Sequence, residues 1–412
     1  MGERVGSGFL AKIAMMAAIV VALGTGEVAA ARHRLSRTEN APPSVPLTAI
    51  HVLGNRPAPF ALDARAACLI DAKTGDILYS YNEHEKIQPA SLAKIMTFYL
   101  VLDAMKNGKV SPDSKVTISE QAWRLSIDQT VSHMFLNVGQ QVSVNDLLYG
   151  LMVSSGNDAA VALAEYVAGS TDAFTNMMND KAKSIGLTDT HFANPDGLPV
   201  EGESTTAADM VKLGRSLLVA HPDATKYTGA KEYVFNNIHQ NNFNALLFHD
   251  SRVNGIKTGH VSEAGYHLVA SATSNGTELI SAVMGTRSEE KRRDETEKLL
   301  DWAFRTFVSY QPNLAKVPAT IPVSGGAEDV VKIGPAGIPA VTLTRGEDQR
   351  VSVSWAPAMR YINAPFPKGT QVGEVEVTLD SKPLAAIPIV TQAAVDRGGI
   401  FKRIKDRIKR VL

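Results

Sequence analysis

Three short runs of residues hold the side chains that could do chemistry. The first is Ser91-Leu92-Ala93-Lys94, behind Pro89 and ahead of an apolar, helix-favouring run that continues to about Met105. This pattern predicts a helix N-terminus at Ser91, where unpaired backbone N–H groups favour developing negative charge. It also sets the Lys94 amine on the helix face that carries the Ser91 hydroxyl. A serine is a weak nucleophile until a neighbour takes its proton, and an amine can do so when burial or nearby positive charge lowers its pKa. The second run, Ser155-Gly156-Asn157, falls in an expected break between helices, where side chains are free to face a cleft. The third, Lys257-Thr258-Gly259, is expected at the end of an apolar strand.

Each run has a decoy. Ser288-Glu289-Glu290-Lys291 repeats the first spacing in a charged stretch expected to face solvent. Ser143-Val144-Asn145 reads as a helix start, and Lys73-Thr74-Gly75 as a hairpin turn. Any such match alone is more often structural than functional. The order of the three runs, each in its own strand or helix context, is the stronger signal.

The elements that must position these runs follow from period and punctuation. Residues 65–81 predict two strands joined by Lys73-Thr74-Gly75-Asp76. Asn145 is the expected cap of a helix over 146–153, residues 154–158 break it, and helix resumes over 159–167. Further helices are expected at 172–185, stopped by Gly186, and at 206–220. Strand 253–258 precedes a hairpin, 266–273 and 278–284, across Ser274-Asn275-Gly276. Helix returns over 289–307. Strands, helices, strands and a final helix predict an α+β fold, a sheet with a helical cluster packed on it.

From about Asn313 short alternating strands, such as 330–333, 340–344, 350–355 and 372–379, are punctuated by Gly and Pro. They predict a small all-β domain over 313–393, without clustered catalytic candidates and suited to a spacer or interaction role. The segment 394–412 ends in an amphipathic helix. Ile400, Phe401, Ile404, Ile408, Val411 and Leu412 share one face, and Lys402, Arg403, Lys405, Arg407, Lys409 and Arg410 fill the other. Such a helix suits a membrane interface, with docking on protein as the alternative.

Composition bounds the rest. The 412 residues are too many for one ordinary core, and 44% hydrophobic with 20% charged residues is a globular balance. Net charge of +0 gives no basic excess for nucleic acid. Arg4 and Lys12 flank a short n-region, residues 13–23 are apolar and uncharged, and Ala29-Ala30-Ala31 offers a cleavage site. Residues 1–31 thus read as an export signal rather than a membrane span, for which the apolar run is too short. No cysteine follows that run, which argues against a lipoprotein. Residues 32–62, rich in Pro, Arg and Ser, read as a linker. The single cysteine, Cys68, lies in an apolar strand and reads as a small core residue. The scattered histidines give no metal-ligand spacing, and no Gly-rich phosphate loop or cofactor motif is present.

With these runs in order, the chain resembles the serine DD-peptidases of the penicillin-binding protein family, related to class A β-lactamases. It is most similar to the low-molecular-weight D-alanyl-D-alanine carboxypeptidases. The likeness covers roughly residues 62–310, including Gly255-Ile256-Lys257-Thr258-Gly259-His260 and the stretch from Gly265 to Thr273, and extends less specifically over the β domain. The resemblance implies that family's antiparallel sheet with a helical cluster, and a catalytic domain over 63–312. It implies that Ser91 attacks the penultimate D-alanine and Lys94 takes its proton. Ser155 would relay a proton to the leaving amine, and Asn157 would orient the substrate amide. Lys257 would help keep Lys94 neutral, Thr258 would bind the terminal carboxylate, and Gly259 would line the substrate site. The backbone N–H groups of Ser91 and His260 would form an oxyanion hole, worth roughly 3 kcal/mol per donor in the barrier. Arg292 falls where the family places a carboxylate-binding arginine, with Arg287 and Arg293 as competitors.

Two departures stand out. Family members often carry a further basic residue upstream of Lys257, where this chain reads Asn241-Asn242-Phe243-Asn244. The stretch from His191 to Leu198 lies where β-lactamases carry a deacylating Glu, and it has none, with His191 read as packing. That absence argues for a long-lived penicilloyl adduct. The expected function is a periplasmic, membrane-tethered DD-carboxypeptidase acting on peptidoglycan stem peptides and inhibited by β-lactams. A DD-endopeptidase or β-lactamase on the same scaffold, or a catalytically idle wall-binding protein, are the alternatives.

Overall fold

In the computed structural model, which describes residues 60–408, strands β1 (Ala66–Asp71) and β2 (Ile77–Tyr81) form the expected first hairpin. The expected export signal at 1–31, most of the linker and residues 409–412 lie outside the described residues. A helical cluster follows: α1 (Ala93–Lys106), α2 (Glu120–Ile127), α3 (Val144–Met152), α4 (Asn157–Ala168), α5 (Thr171–Ser184) and α6 (Ala207–Ala220). A small hairpin, β3 (Glu232–Phe235) and β4 (Ile238–Asn241), precedes three long strands, β5 (Val253–Val261), β6 (Gly265–Ser274) and β7 (Thr277–Thr286). Helix α7 (Glu289–Thr306) closes this half. The strands make one antiparallel sheet in the order β2-β1-β7-β6-β5.

Strand alternation divides the core. Ala66, Cys68 and Ile70 of β1 face the helical cluster, whereas Ala67 and Leu69 face α7 through Leu299, Leu300 and Ala303. The sheet is covered on both faces, so β1 is apolar over almost its whole length instead of alternating with polar residues. Burial pushes the Cys68 thiol up to about 12, so it stays protonated and acts as a core residue. Asn275 and Gly276, both at positive φ, make the two-residue turn between β6 and β7.

Local readings need correction at four places. Ser143, not Asn145, caps α3: its extended backbone lets Oγ accept from the Asp146 N–H at 3.0 Å, while Asn145 accepts from the Tyr227 hydroxyl. The break after α3 spans only 153–156, and Asn157 is the first residue of α4. Strand β5 runs on to Val261 because β6 keeps pairing with it through His260↔Tyr266, so Lys257-Thr258-Gly259 sits inside the strand and not at its end. His191 is exposed, and its backbone rather than its ring does the work by bridging to Ser204.

The remaining strands are β8 (Phe307–Tyr310), β9 (Thr320–Ser324), β10 (Val330–Pro335), β11 (Val341–Thr344), β12 (Val351–Pro357), β13 (Ile362–Asn363), β14 (Gln371–Leu379) and β15 (Lys382–Thr391). Six of them form a sheet in the order β12-β14-β15-β10-β9-β13, and β8 pairs with β11. Their alternating Val and Ile residues build a separate core around Leu343, Val372, Val375 and Ile389. Helix α7 runs into β8 without an intervening residue. Thr74 in the first turn shares a hydroxyl–hydroxyl bond with Thr342 at 2.7 Å, and the buried Asp71 carboxylate accepts from the Ser309 hydroxyl. The final helix, α8 (Ile400–Ile408), is pinned by Lys402 to Asp329 at 2.9 Å and by the Gly325 N–H to Asp406 at 3.0 Å. Among the described residues no helix is long and apolar enough to cross a membrane.

Candidate active site

Ser91 lies in a 3-10 turn, Ala90–Leu92, that leads directly into α1. The turn is tight: Ala90 has φ +51°, and two glycines press on it. A Cβ on Gly197, itself at φ +78°, would meet the Ala90 carbonyl oxygen at 1.8 Å, and one on Gly259 would meet the Pro89 carbonyl oxygen at 3.0 Å. Only glycine allows the loop after α5 and strand β5 to approach the nucleophile's backbone this closely. Gly259 thereby has a packing role beside its place in the cleft wall.

One turn on, Lys94 is fully buried. Its amine donates to Ser91 Oγ at 3.0 Å, to Asn157 Oδ1 at 2.5 Å and to the Asp196 carbonyl at 2.5 Å. Burial pulls the amine down to about 8, against an opposing pull from Asp196, Asp158 and Glu203. Lys257 is also buried, donating to the Thr258 carbonyl at 3.1 Å, and is held well below the ordinary lysine range by burial and then by the charges of Lys94 and Arg292. The repulsion expected between the two lysines therefore falls mainly on Lys257, and desolvation is the larger cause at Lys94.

Asn157 reaches Lys94 from the first turn of α4, and its N–H donates to the Ser132 carbonyl at 2.9 Å. Ser155 sits just before it at φ +58°, a backbone state uncommon in a non-glycine residue. The Asp158 carboxylate accepts from the Met134 N–H at 3.0 Å and the Ser126 hydroxyl at 2.7 Å, which ties the 128–136 loop beside the cleft.

These elements enclose a cleft of about 550 Å³. Ser91, Ser155, Asn157, Thr258, Gly259, His260 and Arg292 all line it, and Lys94 and Lys257 lie buried behind its wall. The three runs, distant in sequence, thus converge. Of the competing arginines only Arg292 reaches the cleft: it is buried, with Nη2 donating to the Phe243 carbonyl at 3.0 Å and its guanidinium 5.8 Å from the Tyr266 ring centre. Arg287 is exposed and paired with Asp63, and Arg293 pairs with Asp294. His260 stacks on Tyr266 with ring centres 3.9 Å apart, and His267 is buried between the Gln88 carbonyl and the Gly285 N–H.

Two acids escaped the reading by motif. Asp196 is buried, and burial raises its carboxyl. Glu203 is buried with no hydrogen bond of normal geometry to either oxygen, and burial pushes it up to about 8. Both favour the charged form of Lys94 through space, yet neither lines the cleft. Among the described residues no group of three His, Cys, Asp or Glu side chains is placed to hold a metal ion.

Comparison with known proteins finds relatives over most of the chain. Residues 53–288 match the family described as D-alanyl-D-alanine carboxypeptidase, and residues 304–397 match the C-terminal domain of penicillin-binding protein 5. The chain is 40% identical over 352 residues to the D-alanyl-D-alanine carboxypeptidase DacC of Escherichia coli, covering 84% of this chain and 88% of that one. It is 37% identical over 405 residues to DacA of the same organism, covering 97% of each. The crystal structure of penicillin-binding protein 5 from Haemophilus influenzae superposes with a TM-score of 0.72 at 37% identity, covering 82% of this chain and 99% of that one.

Proposed function

The chain belongs to the D-alanyl-D-alanine carboxypeptidase family, and on that premise we propose that Ser91 is its nucleophile and Lys94 the base that frees it. The observation that carries this reading is the fully buried Lys94 amine, pulled down to about 8 and 3.0 Å from Ser91 Oγ. A neutral amine accepts the hydroxyl proton as Oγ attacks the carbonyl of the penultimate D-alanine. Ser155 passes a proton to the departing amine, and Asn157 holds both Lys94 and the substrate amide. Thr258 and Arg292 take the terminal carboxylate, a pairing suited to the planar guanidinium, and the buried Lys257 amine stands behind them as a hydrogen-bond donor. The N–H groups of Ser91 and His260 receive the oxyanion. Water then hydrolyses the acyl-enzyme.

The substrate on this reading is a peptidoglycan stem peptide ending in two D-alanines, and β-lactams acylate the same serine. Asp196 and Glu203 stay off the cleft wall, which supports slow hydrolysis of a penicilloyl adduct. Residues 63–312 act as the catalytic module and 313–393 as a spacer or interaction module. Export through the apolar segment at 13–23 would bring the enzyme to the outer face of the cytoplasmic membrane. Helix α8 would rest there, since Ile400 and Phe401 are exposed while Lys402 and Asp406 hold the helix to the β module.

Mass spectrometry after benzylpenicillin treatment, together with D-alanine release from a stem pentapeptide, tests the reading. A single adduct on the tryptic peptide holding Ser91, and release of one D-alanine, are expected. An adduct on another serine, or neither reaction by folded protein, would refute it.

A further inference from the structure

One buried imidazole has no part in the reaction, yet it ties the nucleophile's turn to the sheet. His267 of β6 stands opposite Gly259 of β5, and its neighbour Tyr266 stands opposite His260. The β6–β7 ladder slips here: Tyr266 pairs with Thr286 and Leu268 with Val283, so Met284 and Gly285 together oppose His267. Such bulges re-aim a side chain and recur beside active sites. The two ring nitrogens then have different duties. Gly285, at φ +74°, donates its N–H to Nδ1 at 2.9 Å. A ring nitrogen that accepts carries no proton, so in the neutral imidazole Nε2 holds it. Nε2 donates to the Gln88 carbonyl at 3.2 Å. Burial pulls the imidazole down to about 4, so the ring is neutral wherever Lys94 can act as a base.

Gln88 leads through Pro89 into the Ala90–Leu92 turn that carries Ser91. The turn meets the sheet at Gly259, where a Cβ would lie 3.0 Å from the Pro89 carbonyl oxygen and 3.3 Å from the Leu92 nitrogen. Gly259 permits this approach, and its cross-strand partner His267 holds it. The two N–H groups assigned to the oxyanion sit on either side of the joint. That of Ser91 belongs to the turn, and that of His260 belongs to β5.

We propose that His267 is a positioning residue for the oxyanion hole, its Nε2–H bond to the Gln88 carbonyl setting the gap between the Ser91 and His260 N–H donors. The inference rests on the acyl-enzyme reading above. No proton passes through the ring, and it touches no reacting atom. Its effect belongs to the transition state. The gap matters once the carbonyl oxygen turns tetrahedral and charged, and not while the terminal carboxylate docks on Thr258 and Arg292.

The test uses the full chain, with D-alanine release from a stem pentapeptide and acylation by benzylpenicillin as readouts. In His267→Leu, kcat should fall by at least about tenfold while KM stays within about twofold. The rise of the acylation rate toward pH 8 should keep its midpoint, because Lys94 is untouched. His267→Gln separates positioning from structure. Its amide nitrogen lies as many bonds from the backbone as Nε2 and can donate to Gln88, but it puts no acceptor where Nδ1 stood. It should lower the melting temperature as His267→Leu does, yet keep kcat within about threefold of the wild type. A merely structural ring would make kcat follow the melting temperature in both variants. A fall under about tenfold in His267→Leu, a loss confined to KM, or an equal loss of kcat in His267→Gln overturns the proposal. If His267→Leu does not fold, His267→Gln decides: a loss of kcat under about tenfold upholds the proposal, and a larger one overturns it. Wild-type protein that releases no D-alanine overturns the parent reading, and the proposal with it.

Discussion

Two serine–lysine pairs with the same spacing meet opposite fates in this chain. Ser91 and Lys94 face each other at 3.0 Å, with the amine sealed from water and bonded to Asn157 and Asp196 as well. Ser288 and Lys291 lie on the surface, where Ser288 Oγ accepts from the Lys291 backbone N–H at 3.1 Å and caps α7. In the first pair the hydroxyl meets an amine; in the second it meets a peptide N–H, and the lysine side chain goes to solvent. Spacing alone brings a serine near the first turn of a helix. Desolvation by the helical cluster and the sheet turns one of the two into a base.

Five experiments would break or sharpen that contrast. The largest effect is expected from Ser91→Ala, which should remove β-lactam labelling and lower D-alanine release by at least about 10³-fold with the melting temperature little changed. Lys94→Gln should lower the rate of benzylpenicillin acylation by roughly 10²- to 10⁴-fold; stopped-flow acylation reads this, and a loss under tenfold would detach Lys94 from the base role. The wild-type acylation rate should depend on pH through the same amine. Its pKa in the fold, about 8, lies below the ordinary lysine value, and the neutral form is the active one. The rate should therefore climb from pH 6 and level off above about pH 8, and a flat profile would contradict the assignment. The smallest effect belongs to Ser288→Ala, expected to lower stability by about 1 kcal/mol in denaturant unfolding while leaving acylation unchanged. Between these extremes, Gly197→Ala forces a Cβ into the Ala90 carbonyl at a positive φ. It should destabilise by about 1–3 kcal/mol and slow acylation, since the clash is with the turn that carries Ser91.

Much of the site was legible because its chemistry is written in short runs. Ser91, Lys94, Ser155, Asn157, Lys257 and Thr258 stand out by their types, order and expected elements, their separate roles come from the family resemblance, and the two-sided burial of β1 matches its apolar run. What was not legible depends on how distant loops close. Asp196 and Glu203 carry no motif, and their pull on Lys94 comes from a stretch that Gly197 packs onto Ala90. Phe243 comes to the cleft through an arginine 49 residues away. The cap of α3 did leave a signal: Ser143 stands three residues ahead of Asp146, whose carboxylate also accepts from its hydroxyl at 2.6 Å. Ser143 and Asn145 are both good capping types, so residue type does not separate them. The length of β5 was set by its partner strand, which propensity cannot see.

The Lys73-Thr74-Gly75 turn, a decoy for catalysis, is a coupling between the two halves of the molecule. Thr74 is held to Thr342, Asp71 to Ser309, and α7 passes straight into β8, so the halves are joined at three points. A pull or a tilt at the far end is delivered into the first strand of the catalytic sheet. Those joints would let folding itself set the height of the cleft above a surface that held the tail.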